Sequence, residues 1–333
     1  MPDASLLPIV IIILLAIGFA FVNGTNDTAN AIATVVGTRV MSPRQAVLMA
    51  AAANLVGATT GVAVARTIGK GILVPEAITY TTVIAGLIAV IAWTSLATWR
   101  GLPVSLTHGM VSSLAMAGVG VAGAAAVNWA VLGKVVAAII IAPAIGFAGG
   151  YLMMVAIMWL FSKSRPDRVG RIFSNAQILS ASYMAFSHGR NDGQMPIGLI
   201  TMAMVIYSGN LALWDSIPVW IILVAAGSIS AGTAIGGWRV VKTLGVRMTA
   251  LKPVNGFAAE TAAATVIQIA STIGIPVSTT HTISASIMGV GATRRLSAVR
   301  WGVAGHIFAA WVLTIPICGV IAFILATTLK AVF

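Results

Sequence analysis

The chain has 333 residues, of which 59% are hydrophobic and 8% charged, with 19 Lys and Arg against 7 Asp and Glu. That composition excludes a soluble globular domain and describes an integral membrane protein. The net charge of +12 does not mark a nucleic-acid binder, because the cations are confined to short segments between apolar runs.

Apolar runs follow one another along the chain: Leu6 to Val22, Ala46 to Ala65, Thr79 to Trp99, Val131 to Phe161, Ile217 to Trp238, Phe257 to Ile275 and Trp301 to Leu329. Each is near the ~20 residues that a helical span requires. The first has Asp3 and no Lys or Arg before it, so it reads as a membrane segment and not as a cleaved signal. It leads into "FVNGTNDTANA" at 21–31, where glycine, asparagines and Asp27 interrupt the run. Cys318 stands alone in the chain and says nothing about redox compartment.

The second half echoes the first. "FVNGTNDTANAIATVV" from Phe21 returns as "FSHGRNDGQMPIGLIT" from Phe186, aligning Asn26 and Asp27 with Asn191 and Asp192 at an offset of 165. "GLPVSLTH" from Gly101 returns as "GIPVSTTH" from Gly274, at an offset of 173. These echoes divide the chain into repeat 1 (1–161), a basic linker (162–175) and repeat 2 (176–333). The predicted fold is all-helical, with inverted-topology repeats and about 10–12 membrane segments. The expected spans are a broken one at 6–38, then 45–65, 77–99, 103–122 and 129–160. A second broken one at 176–208 is followed by 217–238, 256–274, 276–291 and 301–330. Re-entrant hairpins are the alternative at the two proline segments. Basic residues at 39–44, 163–171, 239–252 and 294–300 put those loops in the cytoplasm and both termini outside.

Backbone can unwind at membrane depth only where protein or a water-filled cavity satisfies it. The breaks are therefore expected to build one site at the interface of the repeats. Asn26, Asp27, Asn191 and Asp192 offer hard oxygen ligands to Na+, or a carboxylate to carry H+, as does Glu260. Were Na+ the ion, Asp27 and Asp192 would be its metal ligands. Ser105, Thr107, Ser278, Thr279 and Thr280 follow prolines that suit a helix start, where free N–H groups favour an oxyanion. Gln194 is a further anion donor. His108 and His281 read as braces for those turns, and Arg190 either attracts the anion or pairs with Asp192. The duller readings are helix packing for the hydroxyl residues and structural pairing for the charges. A membrane hydrolase using a Ser and His three residues apart is the rival of a different class, and duplication of the nucleophile argues against it. A channel is another, but this chain supplies both halves of a site itself. No Walker-type loop is present.

These motifs, "GTNDTANA", "HGRNDGQ", "PVSLTH", "PVSTTH" and "GFAAETAAATVIQIAS", resemble those of the inorganic phosphate transporter (PiT) family along essentially the whole chain. The resemblance implies a homodimeric symporter of the cell membrane that carries phosphate with Na+ or H+ and needs no cofactor. It implies that Asp27 and Asp192 are essential acids, that Glu260 is a functional glutamate, and that the PVSxTH hydroxyls form the anion site. Met195 and Pro196 in "GRNDGQMP", and Asn54 where animal members carry a second glutamate, resemble the bacterial branch. That branch is described as H+-coupled and able to carry a metal-phosphate complex. A further branch carries sulfate, another tetrahedral oxyanion.

Overall fold

The computed structural model describes residues 6–330. The expected outward placement of the two chain ends falls on residues 1–5 and 331–333, outside the described residues. The described chain is helical throughout, with one isolated β-bridge between Leu73 and Val127.

The first half contains α1 (Leu6–Gly37), a bent pair α2 (Pro43–Ala58) and α3 (Ala63–Lys70), a hairpin α4 (Tyr80–Arg100) and α5 (Leu106–Ala122), and α6 (Trp129–Leu160). The second contains α7 (Pro166–Asp192) with α8 (Gln194–Ser208), a bent pair α9 (Val219–Ile235) and α10 (Trp238–Lys242), a hairpin α11 (Pro253–Thr272) and α12 (Thr279–Ala292), and α13 (Trp301–Leu329). A π-helical turn, Thr243–Arg247, prolongs α10. The bent pairs turn by 71° and 61°. Packing is exchanged between halves: α1 lies on α9 and α7 on α2, while α5 lies on α13 and α12 on α6.

The break expected within 6–38 does not occur. Helix α1 runs unbroken for 32 residues, about 48 Å, through Asn23–Asp27. The polar side chains there find partners on other elements, so no backbone group needs to be released. The break expected within 176–208 shrinks to one residue, Gly193, whose φ of −63° and ψ of −20° remain right-handed. Its cause is Pro196, which has no N–H to offer the Asp192 carbonyl four residues back. Ala31 occupies the matching place in α1 and lets the helix continue. The large bends fall instead in the second element of each half. The segment 162–175, expected as a linker, is helical from Pro166 onward.

Turns collect at two ends. At one, Arg300 N–H donates to Met248 O (3.1 Å) and Thr249 Oγ1 to Ala298 O (3.1 Å). At the other, Val74 N–H donates to Ala126 O (2.9 Å) and Arg66 Nε to Trp214 O (2.8 Å). The hairpin tips lie between these ends. Leu102 O accepts from Asn26, which is 11 residues, about 16 Å, before the end of α1. The segments 103–122 and 276–291, first expected as separate spans, run back from these tips toward the end at which their hairpins began, the shape of the re-entrant alternative.

The crossings that hold this frame are close. A Cβ on Gly24 would sit 2.0 Å from Ile229 O, and one on Gly232 would sit 2.0 Å from Phe21 O. Small residues let α1 and α9 approach backbone to backbone, the dominant way helices associate in lipid. Gly24→Ala or Gly232→Ala should therefore cost about 1–3 kcal/mol, read as a lower thermal midpoint in detergent. Gly227→Ala, where no atom lies within 4 Å of the new Cβ, should change it by less than about 0.5 kcal/mol.

Candidate functional site

Asp27 from α1 and Asp192 from the end of α7 converge on His188. The His188 Nε2 lies 3.5 Å from Asp27 Oδ2 and 3.7 Å from Asp192 Oδ2, and all three residues are buried. One ligand atom from each falls within 4.8 Å of the others. The tautomer follows from the surrounding bonds. Thr233 Oγ1 donates to Ile229 O (2.9 Å), so it accepts from Asn54 Nδ2 (2.8 Å). Asn54 Oδ1 then faces His188 Nδ1 at 2.9 Å and takes its proton. In the neutral ring Nε2 is left with a lone pair aimed at two carboxylates.

The pattern is crossed between repeats. Asn23 is the counterpart of His188, and its Nδ2 donates to Asp192 Oδ2 (3.1 Å) while His188 faces Asp27. Asn23, Asp27 and Asn30 lie on one face of α1, spaced four and three residues apart. Asn30 Nδ2 donates to Thr280 Oγ1 (2.9 Å) and Thr279 Oγ1 (3.2 Å). Those hydroxyls in turn donate to Asp27, Thr280 to Oδ1 (3.1 Å) and Thr279 to Oδ2 (3.3 Å). Oδ1 of Asn23 and of Asn30 have no hydrogen-bond partner among the described residues. With a neutral imidazole, the cluster gathers two negative charges and several oxygens in a desolvated place. Such a cluster could take one small cation, either a hard metal ion or a proton.

The hairpin starts form the other half of the site. Ser105 and Ser278, expected as anion-binding hydroxyls, cap α5 and α12: Ser105 Oγ accepts from His108 N–H and Ser278 Oγ from His281 N–H, both at 3.2 Å, with Pro103 and Pro276 just before the helices. The first N–H groups of each helix have no intrahelical acceptor, and the helix dipole makes both ends attractive to an anion. The two tips touch: Thr107 Oγ1 donates to Val277 O (3.1 Å), and the His108 and His281 rings meet edge to face at 4.4 Å. His281 also stacks on Trp311 at 3.8 Å.

The structure places other predicted residues elsewhere. Asn26 and Asn191 clamp the hairpin tips: Asn26 donates to Thr98 Oγ1 (2.7 Å), and Asn191 donates to Val277 O (2.8 Å) and accepts from Ser271 (3.2 Å). Asn191 also donates to Asp192 Oδ1 (2.6 Å) and so touches the cluster. Gln194, expected as an anion donor, is committed to structure. Its Oε1 caps α3 by accepting from Val64 N–H (2.8 Å), and its amide donates to Arg190 O. Arg190 does not pair with Asp192; its Nη1 donates to Gln268 Oε1 (3.1 Å) in a cavity of about 430 Å³.

Glu260, expected with the two aspartates, is separate. It is fully buried and accepts from Thr34, Ser180 and Gln177, near the basic end of α1. At the four matching positions of the other half stand Leu87, Ile12, Leu15 and Leu199, all within one apolar cluster. A polar quartet stands on one side only, where the other half is apolar. His188, Asn23, Asn30 and the partners of Glu260 were not predicted as site residues. The four- and three-residue spacing along α1 was the available signal, and reading that segment as unwound concealed it.

Re-entrant hairpins, exchanged packing of two similar halves and a sealed ion cluster together define a polytopic membrane transporter. The sequence matches the Phosphate transporter family over residues 23–322, and the chain belongs to that family. It is 38% identical over 333 residues to a "probable low-affinity inorganic phosphate transporter" of Bacillus subtilis, covering 99% of this chain and 100% of that one. It is 41% identical over 325 residues to the protein so described in Rhizobium meliloti, covering 96% of both. A solved structure titled "The sodium-dependent phosphate transporter" superposes with a TM-score of 0.91 at 28% identity, covering 98% of this chain and 100% of that one.

His188→Gln removes the imidazole lone pair while retaining bulk. Cation affinity, read as the midpoint of Na+- or H+-dependent thermal stabilisation, should fall at least about tenfold, which corresponds to about 1.4 kcal/mol. Asn54→Leu, which frees the ring to rotate, should weaken binding by a smaller factor.

Proposed function

We propose that this chain carries inorganic phosphate into the cell in symport with H+ or Na+, by alternating access between inverted repeats. The observation that carries the reading is the contact of Thr279 and Thr280 with Asp27. Hydroxyls at an anion-attracting helix start are hydrogen-bonded to a carboxylate of the cation cluster. Each ion then changes the other's surroundings: a cation on Asp27 frees the two hydroxyls to turn toward phosphate, and phosphate there repays the charge of the cation. Neutral donors hold a multiply charged anion without trapping it.

The end that carries Arg39, Arg44, the 163–171 cluster, Arg247 and Arg294–Arg300 is taken as cytoplasmic. On that orientation α4–α5 enters from outside and α11–α12 from inside, which makes each hairpin the gate of one face. Asn26 and Asn191 release or hold the tips in turn. Glu260 lies between the central cluster and the cytoplasm, about two helical turns beyond Asp27 along α1, and is a step for the cation leaving inward. The sodium-dependent neighbour favours Na+. The imidazole between two carboxylates is equally suited to H+.

Uptake of labelled phosphate into proteoliposomes under separate Na+ and H+ gradients tests this reading. One gradient should drive accumulation, Asp27→Asn should abolish it with membrane insertion intact, and Glu260→Gln should slow it while leaving cation binding at the centre within about twofold. Indifference to both gradients, or wild-type rates in Asp27→Asn, would refute symport through this site.

A further inference from the structure

Four cations stand exposed at the joint between the halves. Lys163, Arg165, Arg168 and Arg171 lie on the turn after α6 and the first turns of α7. Together with Ser164 and Ile172 they line a cavity of about 650 Å³. None forms an ion pair or hydrogen bond through its side chain among the described residues. Two cations elsewhere at this end are used differently: Arg239 donates to Trp99 O and sits 5.8 Å from the Trp99 ring, and Arg300 donates to Arg247 O (3.3 Å). Asp167, the one acid in the segment, shares the neighbouring groove with Arg171 and forms no ion pair with any of the four among the described residues. Immediately before the turn, Trp159 is 81% exposed and Leu160 78% exposed at the end of α6. A Trp and a Leu standing free at the end of a membrane helix set the cavity at headgroup depth.

We propose that this cavity binds the headgroup of an anionic phospholipid, whose acyl chains lie along Trp159 and Leu160. Guanidinium groups bind a phosphodiester through paired N–H donors, and Lys163 adds a point charge. Free phosphate shares the headgroup chemistry but gains nothing from the apolar rim, so the lipid is the favoured occupant. A lipid held at this joint ties the connection between α6 and α7 to the bilayer plane, and lipid charge becomes a setting on transport.

The test uses purified full-length protein in neutral detergent, with native mass spectrometry and thermal unfolding against phosphatidylglycerol, phosphatidylcholine and inorganic phosphate. Phosphatidylglycerol should remain bound and stabilise the protein, whereas phosphatidylcholine should not. At about fivefold per cation, Arg165→Gln/Arg168→Gln/Arg171→Gln should lose roughly 100-fold in affinity. Lys242→Gln/Arg294→Gln/Arg295→Gln, with the same charge loss at the same end, should stay within about twofold. Arg168→Gln alone, with its fivefold loss, serves if the triple variant folds poorly. Equal losses in both triple variants, equal binding of phosphatidylcholine, or displacement of phosphatidylglycerol by millimolar inorganic phosphate would overturn the proposal.

Discussion

Two carboxylates placed beside one imidazole in a desolvated interior cannot be left without a balancing positive charge. That requirement organises the molecule around Asp27, His188 and Asp192. It bears on the origin of each acid in a different half, which puts the charge to be balanced where the repeats meet. It also explains the directed chain from Ile229 through Thr233 and Asn54, which fixes the proton on Nδ1 and turns Nε2 inward. The close crossings of α1 with α9 and of α2 with α7 bring the two acids to one depth. Glycines stand where any side chain would hold the helices apart.

The pseudo-symmetry is used twice, once by keeping it and once by breaking it. Asn26 and Asn191 each hold a hairpin tip, and Ser105 and Ser278 each cap the returning helix, so the paired hairpins are built alike. Other positions differ between the halves. His188 stands opposite Asn23, and Thr279 and Thr280 reach Asp27 while Thr107 reaches only a carbonyl. Glu260 and its three donors occupy a place that leucine and isoleucine fill in the other half.

Much of this was legible in the sequence because membrane physics leaves few choices. Apolar runs, duplicated motifs and basic loops were enough for an all-helical membrane protein, and proline followed by serine marked both helix starts. The error at Asn23–Asp27 came from treating a polar cluster in an apolar run as broken backbone. Polar side chains need partners, but those partners were supplied by Asp192, Thr98 and the α12 start, at sequence distances no local rule reaches. Had α1 been taken as continuous, the spacing of Asn23, Asp27 and Asn30 would have shown one polar face. The true bends lie between α2 and α3 and between α9 and α10. There the sequence shows only glycine and threonine, which also serve helix packing and so carry a weaker signal.

The account stands on one cation being shared by acids from both halves, and a double-mutant cycle measures that sharing directly. The concentration of Na+ or H+ needed for half-maximal thermal stabilisation is recorded for the wild type, Asp27→Asn, Asp192→Asn and the double variant. A shared ion predicts that either single change removes most of the effect and that the second adds little. Losses that multiply independently, as expected for two separate sites, would contradict it.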